Sequence, residues 1–222
     1  MGTHAIPLKS SALHPVRLRA TPALTERNRL TTAFRPILAI PHLILVGGPI
    51  AAFFTWSTND GNVDRSWGAS GVLGAVAFVC AIIAWFAIVF TGRSPEGLWK
   101  LQTFYLRWRV RASAYVALLR DEYPPFGDAP YPVEVDVPVP LEPRDRLTVA
   151  FRPILAIPHL LVIWLLGIAW VVTTLIAWFA ILFTGRYPRS LYEFSLGALR
   201  WTTRVEAYLL LLTDEYPPFT LD

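Results

Sequence analysis

The sequence predicts an all-α integral membrane protein made of two tandem repeats, and three observations lead there. First, the chain nearly repeats itself. His14-Pro15-Val16 through Pro41-His42 returns as Tyr131-Pro132-Val133 through Pro158-His159, Ala84–Arg93 returns as Ala177–Arg186, and Asp121-Glu122-Tyr123-Pro124-Pro125-Phe126 returns as Asp214-Glu215-Tyr216-Pro217-Pro218-Phe219. Self-similarity of this length makes the repeat the structural unit. Second, 54% of the 222 residues are hydrophobic and only 16% are charged, where a soluble domain carries about a quarter charged residues. Third, the missing charge is concentrated in a few long apolar runs, which call for lipid as the solvent. The repeats so defined are residues 14–126 and 131–222, preceded by a flexible N-terminus (1–13) and joined by a linker (127–130).

The net charge of +4 would suggest nucleic acid as the partner of a soluble chain. Here the arginines flank apolar segments, so anionic headgroups are the expected counter-charge and no nucleic acid is expected. Cys80 is the only cysteine, which excludes an intrachain disulfide and a cysteine-rich metal site. Residues 1–30 hold no apolar stretch of the kind a cleavable signal peptide needs, and none is expected.

Each repeat opens on an alternating stretch, Val16-Arg17-Leu18-Arg19-Ala20 and Val133-Glu134-Val135-Asp136-Val137. Period-two alternation predicts strands with one solvated face. Arginines in one copy stand where acids stand in the other, so the two stretches can pair as a small two-stranded cytoplasmic ribbon. The competing reading is an extended linker, because Pro130, Pro132, Pro138, Pro140 and Pro143 crowd the second stretch.

The apolar runs follow. In repeat 1, Ile37–Trp56 is about one span long and is interrupted by Gly47-Gly48-Pro49; a polar extracytoplasmic loop, Ser57–Gly71, leads to a second span, Val72–Phe90. Repeat 2 lacks the loop, and its run from Ile154 to Phe183 is unbroken. A single tilted helix would place Arg152 and Arg186 on opposite sides. A shallow transmembrane or re-entrant hairpin turning near Gly167 would gather both basic flanks on one side, as the preference of such flanks for the cytoplasm favours. After each run comes an amphipathic helix, with Leu98, Leu101, Tyr105, Trp108, Ala112, Tyr115 and Leu119 on one face of the first and Leu191, Phe194, Ala198, Trp201, Val205, Tyr208 and Leu212 on one face of the second. With basic residues opposite, these helices are expected in the bilayer interface, or else in a helix–helix seam. The charge distribution predicts a multi-pass protein of the cell membrane with both termini in the cytoplasm.

Tyr-Pro-Val before a strand, Ile-Pro-His in an apolar run, Phe-Thr-Gly-Arg at its end and a closing Tyr-Pro-Pro-Phe resemble the bacterial integral-membrane domain of unknown function 4389 (DUF4389) family, in two copies spanning roughly residues 14–126 and 131–219. The resemblance implies a multi-pass bacterial membrane protein and carries no catalytic or binding residues. The first copy departs from the pattern at His14 and in its long loop.

Few residues suggest chemistry. His42 and His159 are repeat equivalents and could meet to bind a metal or haem; alternatively each faces headgroups or backbone. No carboxylate stands at short spacing to either, so no metal or cofactor is assigned. Arg35 and Arg152, with Arg93 and Arg186, are candidate lipid-headgroup contacts. The paired acids Asp121-Glu122 and Asp214-Glu215 are expected to meet nearby arginines. No phosphate loop, nucleophile elbow or zinc-helix motif occurs, and no enzyme is expected. The leading expectation is a non-enzymatic scaffold, accessory or membrane-organising protein, with the bilayer, a membrane-protein partner or a second copy as its partners. A lipid or small-solute transporter, for which Gly47-Gly48-Pro49 would be a broken helix, and a bis-His cofactor protein are the alternatives.

Overall fold

A computed structural model describes residues 14–48, 71–140 and 142–221. The expectations for residues 1–13, for Pro49 and for the loop before Gly71 fall outside these residues. The elements in order are β1 (Arg17–Ala20), α1 (Arg29–Leu38), α2 (Ile40–Val46), α3 (Gly71–Thr91), α4 (Glu96–Val116), β2 (Val133–Asp136), α5 (Arg146–Thr184) and α6 (Arg189–Leu209).

The ribbon forms. β1 and β2 pair antiparallel, with Arg17 opposite Asp136 and Arg19 opposite Glu134. Each such pair contributes about 0.2–1 kcal/mol. Val133 and Val135 are buried while Glu134 and Asp136 are exposed. Pro132 and Pro138 flank β2 without interrupting it.

Helix boundaries follow local chemistry. Asn28 caps α1 by accepting from the Thr31 backbone N–H, and Asp145 caps α5 by accepting from that of Leu147. Gly92 and Gly185 end α3 and α5 at φ 74° and 70°.

The hairpin expected near Gly167 is not there. α5 runs through 39 residues without a break, and Gly167 is buried on one of its faces. The reason is backbone hydrogen bonding: a turn within an apolar run strands N–H and C=O groups, whereas an uninterrupted helix pairs them. In repeat 1 the corresponding path is divided. α1 and α2 bend by 42°, and residues 47–70 have no counterpart in repeat 2, where Ile163 and Trp164, the equivalents of Val46 and Gly71, are consecutive. A Cβ on Gly71 would lie 2.5 Å from the Gly47 nitrogen and 2.6 Å from the Leu45 oxygen. The start of α3 therefore stands against the last turn of α2. Glycine alone permits this approach, at φ +70°.

The path α1–α2–α3 and helix α5 run antiparallel and are joined by two reciprocal bonds. Trp178 Nε1 donates to the Thr32 carbonyl and Trp85 Nε1 donates to the Val149 carbonyl, both at 2.9 Å. These two carbonyls are the ones left unpaired four residues before Pro36 and Pro153, which have no N–H to give. Each repeat thus creates an orphan acceptor with its Arg-Pro motif and fills the other repeat's with its Ala-Trp-Phe motif.

α4 and α6 form the interior. Tyr105, Trp108, Ala112, Tyr115 and Leu119 of the first stripe, and Ala198, Trp201, Val205, Tyr208 and Leu212 of the second, are buried by the protein itself. The interfacial placement expected for these helices is thereby corrected to the seam, because no apolar stripe remains for lipid. The middle of α5 lies on this layer, with Ile163 packed on Trp201 and Val205, and β2 lies on it too, Arg107 Nε donating to the Val135 carbonyl at 3.3 Å. Large exposed apolar side chains crowd α1, α2, α3 and α5, among them Phe34, Ile44, Phe78, Phe90, Phe151, Trp164 and Phe183; α4 has none. α3 and α5 are each long and apolar enough to cross a membrane, as is the bent pair α1 and α2 taken together.

Candidate functional site

Three kinds of polar centre are built into this apolar frame, and two of them occur twice. The first is an arginine clamp. Arg35 Nη1 donates to the carbonyls of Tyr115 (3.1 Å) and Arg120 (2.9 Å), and its Nη2 donates to Asp121 (2.7 Å). Arg152 makes the same bonds to Tyr208 (3.1 Å), Thr213 (2.9 Å) and Asp214 (2.7 Å). A second arginine completes each clamp: Arg27 donates to Asp121 and the Leu118 carbonyl, and Arg144 to Asp214 and the Leu211 carbonyl. Leu118 and Leu211 hold φ of 64° and 61°. This conformation costs a residue with a Cβ about 1–2 kcal/mol, and it accompanies the aiming of their carbonyls at the arginines. Burial works to raise the pKa of Asp121 and Asp214, but the hydrogen bonds from Arg27 and Arg144 outweigh it and hold both below the usual carboxylate range.

Arg35 and Arg152 are each 2% exposed. Of the four sequence-predicted headgroup contacts, these two therefore turn inward as pins between elements. Their Nη donors are taken up by backbone carbonyls and a carboxylate of the same repeat. Arg93 and Arg186 remain exposed. Asp121 and Asp214 met arginines as expected, and Glu122 pairs with Arg120.

The second centre is an imidazole cage. His42 stacks on Phe126 (4.6 Å between centroids), contacts Tyr123, and accepts from Trp108 Nε1 at 3.0 Å. His159 stacks on Phe219 (4.2 Å) and contacts Tyr216 and Trp201. Each ring is enclosed by its own repeat's closing Tyr-Pro-Pro-Phe and shares no partner with the other, so the two do not form the common site the sequence allowed. Among the described residues no group of three or more His, Cys, Asp or Glu could hold a metal ion.

The third centre is single, and sequence reasoning missed it. Arg109 Nε donates to Glu206 at 3.0 Å, and its Nη1 donates to the Val46 carbonyl and the Tyr105 hydroxyl. The repeat equivalents of Arg109 and Glu206 are Thr202 and Ser113, so the pair breaks the symmetry between α4 and α6. Glu206 keeps 24% side-chain exposure, which opens on two apolar clefts. Desolvation raises its pKa against the pull of Arg109. The available signal was a charge present in one copy only.

The second of the clefts beside Glu206 has a repeat equivalent. This equivalent, of about 420 Å³, is lined by Arg35, Pro36, Leu43, Leu118, Leu175 and Trp178 among others. The cleft beside Glu206, of about 660 Å³, is lined by their counterparts Arg152, Pro153, Leu160, Leu211, Ile82 and Trp85.

An antiparallel pair of apolar paths locked over a buried helix seam defines the class: a protein with helices suited to a membrane. The family described as Domain of unknown function (DUF4389) matches residues 66–127 and 146–220, and the chain belongs to that family. No curated protein and no solved structure matches the chain.

Proposed function

We propose that the protein is a non-enzymatic membrane-organising element that lies along one leaflet of the cell membrane, with α1–α3 and α5 bedded in lipid and the ribbon and both termini facing the cytoplasm. The observation that carries this reading is the position of the ribbon. Arg17, Arg19, Glu134 and Asp136 are exposed on the far side of the α4–α6 layer from the middle of α5. Were α5 upright, these four charges would sit at mid-depth, where each costs about 2.5–3.5 kcal/mol on the insertion scale. Lying flat, the molecule turns every such charge to water and its apolar residues to acyl chains. Both basic flanks of α5 then share one side, as the charge distribution asks, without any hairpin. A long apolar face in a single leaflet displaces lipid unequally between leaflets, which is how such a protein shapes or organises a bilayer.

Single cysteines at Arg93, Arg146 and Arg186 in a Cys80→Ser background test the placement. Labelling of all three by an impermeant reagent from the same side is expected, with the protein resistant to alkaline carbonate extraction. Labelling of the Arg146 and Arg186 positions from opposite sides would return α5 to a spanning role, and release by carbonate would end the membrane reading.

A further inference from the structure

Each apolar cleft has a basic rim that neither the fold nor the clamps use. Arg146 crosses to the other repeat, its Nε 3.2 Å from where a Cβ on Gly92 would stand, beside Arg93; Arg29 does the same at Gly185, its Nε at 3.4 Å, beside Arg186. All four arginines are exposed. None has a side-chain hydrogen bond or ion pair among the described residues. Arg29 and Arg146 are repeat equivalents, as are Arg93 and Arg186. Each rim is therefore assembled from both repeats, and the same assembly occurs twice.

Further along the same helices from each rim lies the apolar cleft, the larger of the two also lined by Glu206, which pairs with Arg109. Arg146 precedes Arg152 by six residues on α5, about 9 Å along the axis at 1.5 Å per residue, and Arg152 forms part of the cleft wall with Leu160, Ile82 and Trp85. Arg29 stands at the same remove from Arg35 in the other cleft. The volumes, about 660 and 420 Å³, fall in the range of small-molecule sites. The clamp behind each cleft adds to the field: two guanidinium groups against one carboxylate leave one positive charge at Arg35–Arg27–Asp121 and one at Arg152–Arg144–Asp214. An apolar slot with an unpaired guanidinium pair at its mouth and positive charge behind it is complementary to an amphiphile with an anionic head.

We propose that the chain binds two molecules of anionic phospholipid, one per cleft, with a phosphate between Arg93 and Arg146 or between Arg29 and Arg186 and an acyl chain laid in the cleft below. This deepens the membrane-organising reading and rests on it, naming the lipid class it acts on. The phosphate is recognised by paired guanidinium donors, and the acyl chain by the Leu, Ile and Trp lining. On a molecule lying flat, both heads belong to one leaflet.

The test uses the full chain purified in mild detergent and exchanged into mixed phosphatidylglycerol and phosphatidylcholine, with retained lipid counted by native mass spectrometry. Two retained phosphatidylglycerols are expected. The Arg93→Ala/Arg146→Ala and Arg29→Ala/Arg186→Ala variants should each keep one, and the quadruple variant should lose about tenfold or more in phosphatidylglycerol retention. Because the four side chains are exposed and unpaired, thermal unfolding should stay unchanged. Filling a cleft with Ile82→Trp should remove one lipid while leaving its rim intact. Equal retention of phosphatidylcholine, or a quadruple variant that retains lipid like the parent, overturns the proposal. Carbonate extraction of the same variants separates the two failures: a protein that stays membrane-bound but shows no selective lipid refutes the sites alone, whereas one that washes off refutes the membrane reading beneath them.

Discussion

The two repeats solve one problem in two ways. Repeat 2 carries its apolar path in a single 39-residue helix, while repeat 1 divides the path into α1, α2 and α3, with residues 47–70 inserted in the sequence between Val46 and Gly71. The bonds of Arg35 and Arg152 and the tryptophan–carbonyl bonds nevertheless agree between copies, the former to 0.1 Å, and the cages share their ring stacking though only His42 accepts from a tryptophan. The backbone can be cut in mid-path without disturbing what holds the ends, because the ends are fixed by contacts to other elements. A centre made twice is structural by this measure; the Arg109–Glu206 pair, made once, marks where the copies have parted.

The comparison can be broken most forcefully at the clamps. Asp121→Asn and Asp214→Asn each leave two buried guanidinium groups without their carboxylate, and each should cost about 3–5 kcal/mol, read as a fall in unfolding temperature in detergent. Similar losses support equivalence; a loss at one position only would show that the copies bear unequal load. The same acids set a pH dependence. Their folded pKa values are depressed, so their contribution is full above the unfolded value of about 3.9 and is lost as pH falls toward the folded value. The stability difference between the parent and either Asp→Asn variant should therefore be constant above about pH 5 and shrink below about pH 4.

Next in size is the asymmetric pair. Glu206→Ser alone strands the Arg109 charge and should cost about 3 kcal/mol. Adding Arg109→Thr installs the residues each helix's counterpart already carries and should recover most of the loss. Failure to recover would mean that the pair holds α4 and α6 in register rather than marking a dispensable divergence.

Smaller effects are expected at the reciprocal bonds. Trp85→Phe and Trp178→Phe each abandon a proline-orphaned carbonyl and should cost about 1–3 kcal/mol. Pro153→Ala in the Trp85→Phe background restores an N–H to the Val149 carbonyl and should reduce the cost, which a double-mutant cycle measures directly. Smallest of all, deleting residues 47–70 should shift stability by about 1 kcal/mol or less, since α5 passes through the equivalent junction unbroken.

Much of the frame was legible. The ribbon was one of the two readings that the alternating stretches offered, through their opposed charges; its antiparallel register, with Arg17 opposite Asp136, was not read from them. The pairing of Asp121 and Asp214 with arginines was legible as well. The course of residues 154–183 was legible only as a choice between one helix and a hairpin, and the structure has the single helix, because the charge rule that favoured the hairpin says nothing about the backbone bonds a turn would strand. Its buried face, Ala156, His159, Ile163, Gly167 and Trp170, recurs at three and four residues in the sequence but is masked by apolar residues all round. The inward turn of Arg35 and Arg152 escaped notice because their carboxylates lie 86 and 62 residues away, beyond any local pattern.

The tryptophan–carbonyl exchange also bears on ancestry. A polypeptide holding one copy has an orphan acceptor and a donor that cannot reach it, and the obvious remedy is a twin that offers the reverse. Duplication and fusion would then have joined in one gene what began as a symmetric pair of molecules, and the two halves of this chain, severed in the connecting stretch and produced together, should still find one another.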